Sequence, residues 1–142
     1  MLKIEFTNLR VFIDESTHYI YKDLTDKAVD KAEDVPFVKM PDLFLAAACV
    51  GAKENSYKEL KSKRDIFVAD AFDSKIQIPI LVSLAMKKWD IDIINDPKKI
   101  LTTCECYANG GIAIIYETMK VGQGLRPLYR LADFISSKEN LL

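Results

Sequence analysis

The sequence predicts a mainly α protein, a single-domain bundle of about five helices with a short N-terminal β element, spanning residues 1–142. Three observations lead there. Apolar residues recur at three- and four-residue spacings through most of the chain, as they do on the buried face of a helix. Proline stands at or near the start of several of those runs, and at two of them an aspartate lies beside it or a few residues ahead. Strict alternation of apolar and polar residues, the mark of a half-buried strand, is confined to the beginning of the chain. The 142 residues are 49% hydrophobic and 29% charged, which suits one domain. At this size folding buries roughly 68–70% of the unfolded surface, so a core forms without disulfides or a structural metal.

In chain order, residues 2–6 alternate as a strand, and residues 9–13 read as a second short one. Asp14, Glu15 and Ser16 place acceptors and negative charge at a helix N-terminus, and Ile20, Leu24 and Ala28 follow on one face. Val35-Pro36 ends that helix, since the residue before proline is driven to extended conformations. Pro41 suits a first helical turn, and residues 43–50 are apolar on every side, which places them at the centre of the core; Gly51 is read as their stop. Ala46, Ala47 and Ala48 allow a neighbour to pack closely. Residues 53–64 are the most basic stretch, read as a solvated loop or helix face.

Residues 66–69 read as a short strand or packed loop, and Ser74 with Gln77 as a capping box, with the regular helix starting near Ile78 and Pro79. Ile80, Leu81, Leu84, Ala85 and Trp89 form its apolar face. Asp96-Pro97 starts a long helix that buries Ile100, Leu101, Cys104, Ala108, Ile112 and Ile115. Gly110-Gly111 in its middle, each costing about 1 kcal/mol against alanine, either ends this helix or allows a very close backbone approach. Pro127 opens a C-terminal helix at about residues 126–137.

The charge balance excludes more than it assigns. Twenty basic against twenty-one acidic residues give a formal charge of −1, so no global field draws the chain to nucleic acid or an anionic membrane. The first residues lack the signature of a signal peptide, and no apolar run approaches the roughly 20 residues that cross a bilayer. Cys49, Cys104 and Cys106 are an odd number of thiols, which fits a reducing compartment, so the cytoplasm is the expected location.

No catalytic constellation stands out. Cys104 and Cys106 are two apart, and on a helix their thiols point away from one another, so no metal site is expected. His18 is the only histidine and has no nucleophile motif around it. Asp90 and Asp92 read as turn acceptors, and the glycine pairs lack the context of a phosphate loop, so no cofactor or small-molecule ligand is expected. Tyr107-Ala108-Asn109-Gly110-Gly111 is the least generic string, read either as a helix break with an asparagine cap or as a docking surface for a partner chain.

Met40-Pro41-Asp42-Leu43-Phe44-Leu45-Ala46-Ala47-Ala48, then residues 80–85, then residues 104–112 occur in an order and at intervals that resemble the DNA phosphorothioation-associated protein 4 family. The resemblance covers about residues 17–116, and its most specific part is Glu-x-Tyr-Ala-Asn-Gly-Gly at residues 105–111. It implies bacterial antiphage defence and an accessory protein beside larger DNA-processing partners of ATPase or nuclease type; it carries no catalytic residue across. With the residue reading, this predicts a non-catalytic adaptor that binds a partner through Tyr107, Asn109, Gly110, Gly111 and Tyr116. Two rivals are a DNA-phosphate contact through Lys61, Lys63 and Arg64, and a metal-dependent nuclease built on acids such as Asp70, Asp73 and Asp92.

Overall fold

The computed structural model describes residue 6 and residues 8–25 and 39–121, with side chains to residue 119. Strand β1 (Arg10–Asp14) leads through a 3-10 turn (Glu15–Thr17) into helix α1 (His18–Thr25). Helix α2 (Met40–Lys53), strand β2 (Lys63–Val68), a turn (Ala69–Ala71), helix α3 (Gln77–Lys88), a turn (Ile91–Asn95) and helix α4 (Pro97–Val121) follow. The fold is mainly α, with four helices among the described residues where about five were expected. The expected C-terminal helix at 126–137 lies outside them, as does the expected strand at 2–6 except for Phe6, which is buried.

α4 is the longest element, and its six expected core residues are all buried. Asp96 caps it, Oδ1 accepting from Lys99 N at 3.1 Å, with Pro97 in the first position where its missing N–H costs nothing. Gly110-Gly111 does not break it; the helix runs on to Val121. The reason is α2. A Cβ on Gly111 would stand 2.8 Å from the Ala47 carbonyl carbon, closer still to its oxygen, and 2.6 Å from Gly51 N. A Cβ on Gly51 would stand 2.7 Å from the Tyr107 carbonyl carbon. The two helices thus cross backbone to backbone, each glycine under a carbonyl of the other helix, four residues from the partner's own glycine.

Gly51 is correspondingly not the stop of α2, which continues to Lys53. Asn55 ends it instead, at φ 54°, with Ser56 N donating to Gly51 O at 2.8 Å and Asn55 N to Ala52 O at 3.3 Å. That is the Schellman pattern with asparagine in the left-handed position. Pro41 lies in the first turn as expected, and Leu43, Phe44, Ala47, Ala48 and Ala52 are buried.

α3 begins one residue before expectation. Asp73 rather than Ser74 makes the reciprocal pair, in the turn that leads into the helix: its carboxylate accepts from Ile76 N at 2.7 Å, while Gln77 Oε1 accepts from Asp73 N at 2.8 Å. Leu81 and Ala85 are buried as expected, but Trp89 lies past the helix end and is 40% exposed. β1 is shifted one residue from its expected position and pairs antiparallel with β2, so residues 63–68 are strand rather than loop. The register shifts between Val11 and Phe12, leaving Ile66 without a partner of its own. Val11 and Ile13 face the core, and Phe67 joins Phe44 and Phe72 in a ring cluster at centroid separations of 5.2–6.0 Å.

The crossing reverses the usual rule for helical glycine. Gly111→Ala should lower the unfolding free energy by about 3 kcal/mol or more, because backbone atoms cannot rotate aside, whereas Ala113→Gly on the exposed face of the same helix should cost only about 1 kcal/mol. Urea unfolding of both variants checks this. Equal, small effects would mean that α2 and α4 do not touch there.

Candidate functional site: a protein-docking groove

The Tyr107–Gly111 string is divided by helical periodicity between the interior and the surface. Tyr107 is 5% exposed and sets its ring edge-on to Tyr57, with centroids 5.1 Å apart. Gly110 lies under the backbone of Ser56, where a Cβ would meet the Ser56 carbonyl carbon at 2.7 Å. Asn109 alone reaches the surface with its polar atoms, Nδ2 donating to Lys58 O at 3.2 Å and to Glu59 O at 3.3 Å. Lys58 N in turn donates to Cys106 O at 3.0 Å. The string therefore holds the chain that leaves α2 flat against α4.

Asp14 holds the same chain from the other end. Its carboxylate accepts from Lys61 N at 2.7 Å, Ser62 N at 3.1 Å, Ser16 N at 3.1 Å and the Ser16 hydroxyl. These donors, the Ser16 hydroxyl first and the Ser62 N–H next, hold the acid well below the usual range, at about 2. Between the two anchors lies an open groove of about 710 Å³ lined by Asp14, Thr17, Lys58, Lys61, Asn109 and Ala113, among others. Ala113 and Tyr116 continue the outward stripe of α4 from Asn109, at four and seven residues along. Tyr116 packs edge-on against Tyr19 at 5.7 Å, and its hydroxyl donates to Asp23 at 3.5 Å; Tyr19 is 54% exposed. An amphipathic aromatic pair thus stands beside a rigid polar groove.

Asn109 and Lys61 line this groove, with Tyr116 one helical turn beyond it. Tyr107, Gly110 and Gly111 are buried, because their atoms are engaged with α2 and with residues 56–57. Lys63 and Arg64 open β2, and the Arg64 guanidinium pairs with Glu15 at 2.8 Å. Asp70 sits in the turn after β2, Asp73 in the turn that leads into α3 and Asp92 in the turn before α4. Among the described residues no three His, Cys, Asp or Glu side chains are grouped as a metal site would need. Cys104 and Cys106 diverge: the Cys104 thiol donates to Leu81 O at 3.3 Å, Cys106 meets Tyr57, and burial pushes both thiols up.

Sequence reasoning missed Asp14 as an anchor and Glu105 as a buried acid. Glu105 is 5% exposed, and its carboxylate accepts from Phe12 N at 2.9 Å beside the register shift of β1. Burial raises it to about 7, against the lowering pull of that N–H and of Lys63.

A model described as DNA sulphur modification system-associated protein 4 matches residues 10–140. The chain belongs to that family. The match extends on both sides of the 17–116 span of the resemblance, taking in β1 at one end and residues past α4 at the other. Searches of curated proteins and of solved structures find no match. Membership of the DNA sulphur modification system-associated protein 4 family places the chain in the context of DNA sulphur modification systems. No helix among the described residues is long and apolar enough to cross a membrane.

The two acids act on stability in opposite senses. The Asp14 contribution is present above pH 3.8 and is lost as pH falls through about 2. For Glu105 the folded chain keeps a proton that the unfolded chain releases near pH 4.5, so its contribution is full below 4.5 and is lost as pH rises through about 7. Glu105→Gln, which stays neutral and still accepts from Phe12 N, should raise stability at pH 8 by on the order of 3 kcal/mol and leave it nearly unchanged at pH 4. Denaturant unfolding at the two pH values checks this; an equal effect at both would show that Glu105 titrates normally.

Proposed function

We propose that the chain is a non-catalytic accessory subunit of a DNA sulphur modification-linked defence complex, docking a larger DNA-processing protein in the groove between the Glu15–Thr17 turn, α4 and residues 58–61. The observation that carries this reading is the division of the family string. Its buried members fix one wall of a preformed groove, and Asn109 is presented on that wall beside the Tyr19–Tyr116 pair. A rigid groove costs little ordering on binding, and exposed tyrosines are the residue type that most often anchors interfaces. Lys58, Lys61, Asp14 and Glu59 give it charges of both signs, which a protein segment of complementary charge can meet. The groove does pair the Ser16 hydroxyl with the Asp14 carboxylate, but that acid is held at about 2 by its four donors and is too weak a base to activate a hydroxyl, which supports a binding role rather than a catalytic one.

The test is co-purification of the tagged chain expressed with its gene neighbours, read by mass spectrometry and by the mass of the eluted particle. The wild type should recover a large partner stoichiometrically, and Tyr19→Ala with Tyr116→Leu, which keeps apolar bulk where Tyr116 packs against the core, should lose it while keeping its melting behaviour. Tyr107→Ala is the wrong probe for this purpose, since removing a buried aromatic ring costs about 3–5 kcal/mol of folding free energy and confounds binding with unfolding. Undiminished recovery with the double variant would take the tyrosine rim out of the interface.

A further inference from the structure

The bundle carries a second surface of different chemistry. The last turns of α2 and α3 and the first turn of α4 come together there, bringing Lys53, Lys87, Lys88, Lys98 and Lys99 to one end. Lys87 reaches across to the Ala52 carbonyl and closes α2 onto α3. Lys88 Nζ stands 4.1 Å from the centroid of the Tyr57 ring and 6.0 Å from that of Trp89, while Lys99 Nζ stands 4.0 Å over Trp89. The Trp89 indole is fixed in turn by donating to Thr103 Oγ1 at 2.9 Å. Among the described residues neither Lys88 nor Lys99 makes an ion pair with a carboxylate.

Two features of this arrangement are not required by the fold. Lys98 and Lys99 occupy the first turn of α4, where the Asp96 cap and not these cations meets the positive end of the macrodipole. Trp89 keeps 40% of its surface exposed. We infer that the Lys88–Trp89–Lys99 array with Lys98 is a contact surface for a nucleic-acid backbone. The rings hold two ammonium groups in place before binding, so ordering them costs less when a phosphate arrives. The cations at this end are lysines, compact point charges of the kind that contact single phosphate oxygens along a backbone. A half-exposed indole beside them is the further element that nucleic-acid grooves use. The basic run at residues 53–64 is a weaker candidate, because its only arginine, Arg64, is paired with Glu15. Asp90, Asp92 and Asp96 border the array with Trp89 and Lys99 around a depression of about 260 Å³, and they set its limit.

Trp89 is the only tryptophan, so intrinsic fluorescence reports on this surface directly. The experiment titrates the full chain with an arbitrary-sequence DNA duplex, the matching single strand and a polyglutamate peptide, each at several salt concentrations. DNA should perturb the Trp89 emission and bind with a steep salt dependence. Lys88→Gln with Lys99→Gln should reduce the salt slope by about two and weaken binding tenfold or more, with Lys75→Gln, an exposed lysine outside both surfaces, leaving both unchanged. Asp90→Asn with Asp92→Asn, which removes local repulsion without touching the lysines, should tighten it. DNA binding unaltered in the lysine double variant, preference for polyglutamate, or no binding of either DNA would each overturn the inference. The readout is DNA affinity and not partner recovery, so failure here leaves the groove reading standing.

Discussion

Everything else in the fold depends on the absence of two side chains where α2 crosses α4. Gly51 and Gly111 let each helix rest on a carbonyl of the other, so the helix axes sit closer than any larger residue allows. Isolated, each glycine weakens its helix by about 1 kcal/mol against alanine, and that cost is offset only because the two backbones gain dense contact along the crossing. The consequence reaches well beyond the contact itself. With α2 held this close, its Schellman end delivers Ser56 directly onto Gly110, Tyr57 onto Tyr107, and residues 58–59 onto Asn109. The wall of the groove is thus a continuation of the helix crossing.

The small sheet is tied to the same helix by a different device. Glu105 projects from the middle of α4 to accept the Phe12 N–H, a polar group brought inside by the packing of β1 against the bundle. A carboxyl near its point of half-protonation at about pH 7 is an awkward buried acceptor, which is why burial dominates its behaviour. Asp14 at the end of the same strand is the contrast. Four donors surround its two oxygens, and it stays ionised while fastening residues 61–62. One acid therefore anchors the strand to the core, and the other anchors the strand end to the groove.

What was legible in the sequence was what local pattern encodes. The core face of α4, the Asp96-Pro97 start, the Pro41 start and the apolar character of α2 follow from period and capping chemistry within a few residues. The resemblance on residues 105–111 also found the family, which the match over residues 10–140 establishes. What was not legible was anything decided by a partner far along the chain. Gly51 looks like a helix stop and Gly110-Gly111 like a helix break unless α2 and α4 are known to meet. Asn109 looks like a cap until its amide is seen to hold residues 58–59 instead. Glu105 and Phe12 are 93 residues apart, and Asp14 and Lys61 are 47 apart, so no window reading joins them. Within the distinctive string, Tyr107, Gly110 and Gly111 turn inward and Asn109 outward, a division set by where α2 and residues 56–59 lie rather than by any local pattern.

Native-state amide hydrogen exchange across the glycine pair tests the crossing most directly. In an unbroken helix the amides of Ile114 and Ile115 donate to the carbonyls of Gly110 and Gly111, and the Lys58 amide is held by Cys106 O. If the helices close backbone to backbone there, these three amides open only with global unfolding, at the same free energy as Ile112. Exchange of Ile114 and Ile115 orders of magnitude faster than that of residues before the glycine pair would mean that α4 is broken at Gly110-Gly111 and that α2 does not hold it.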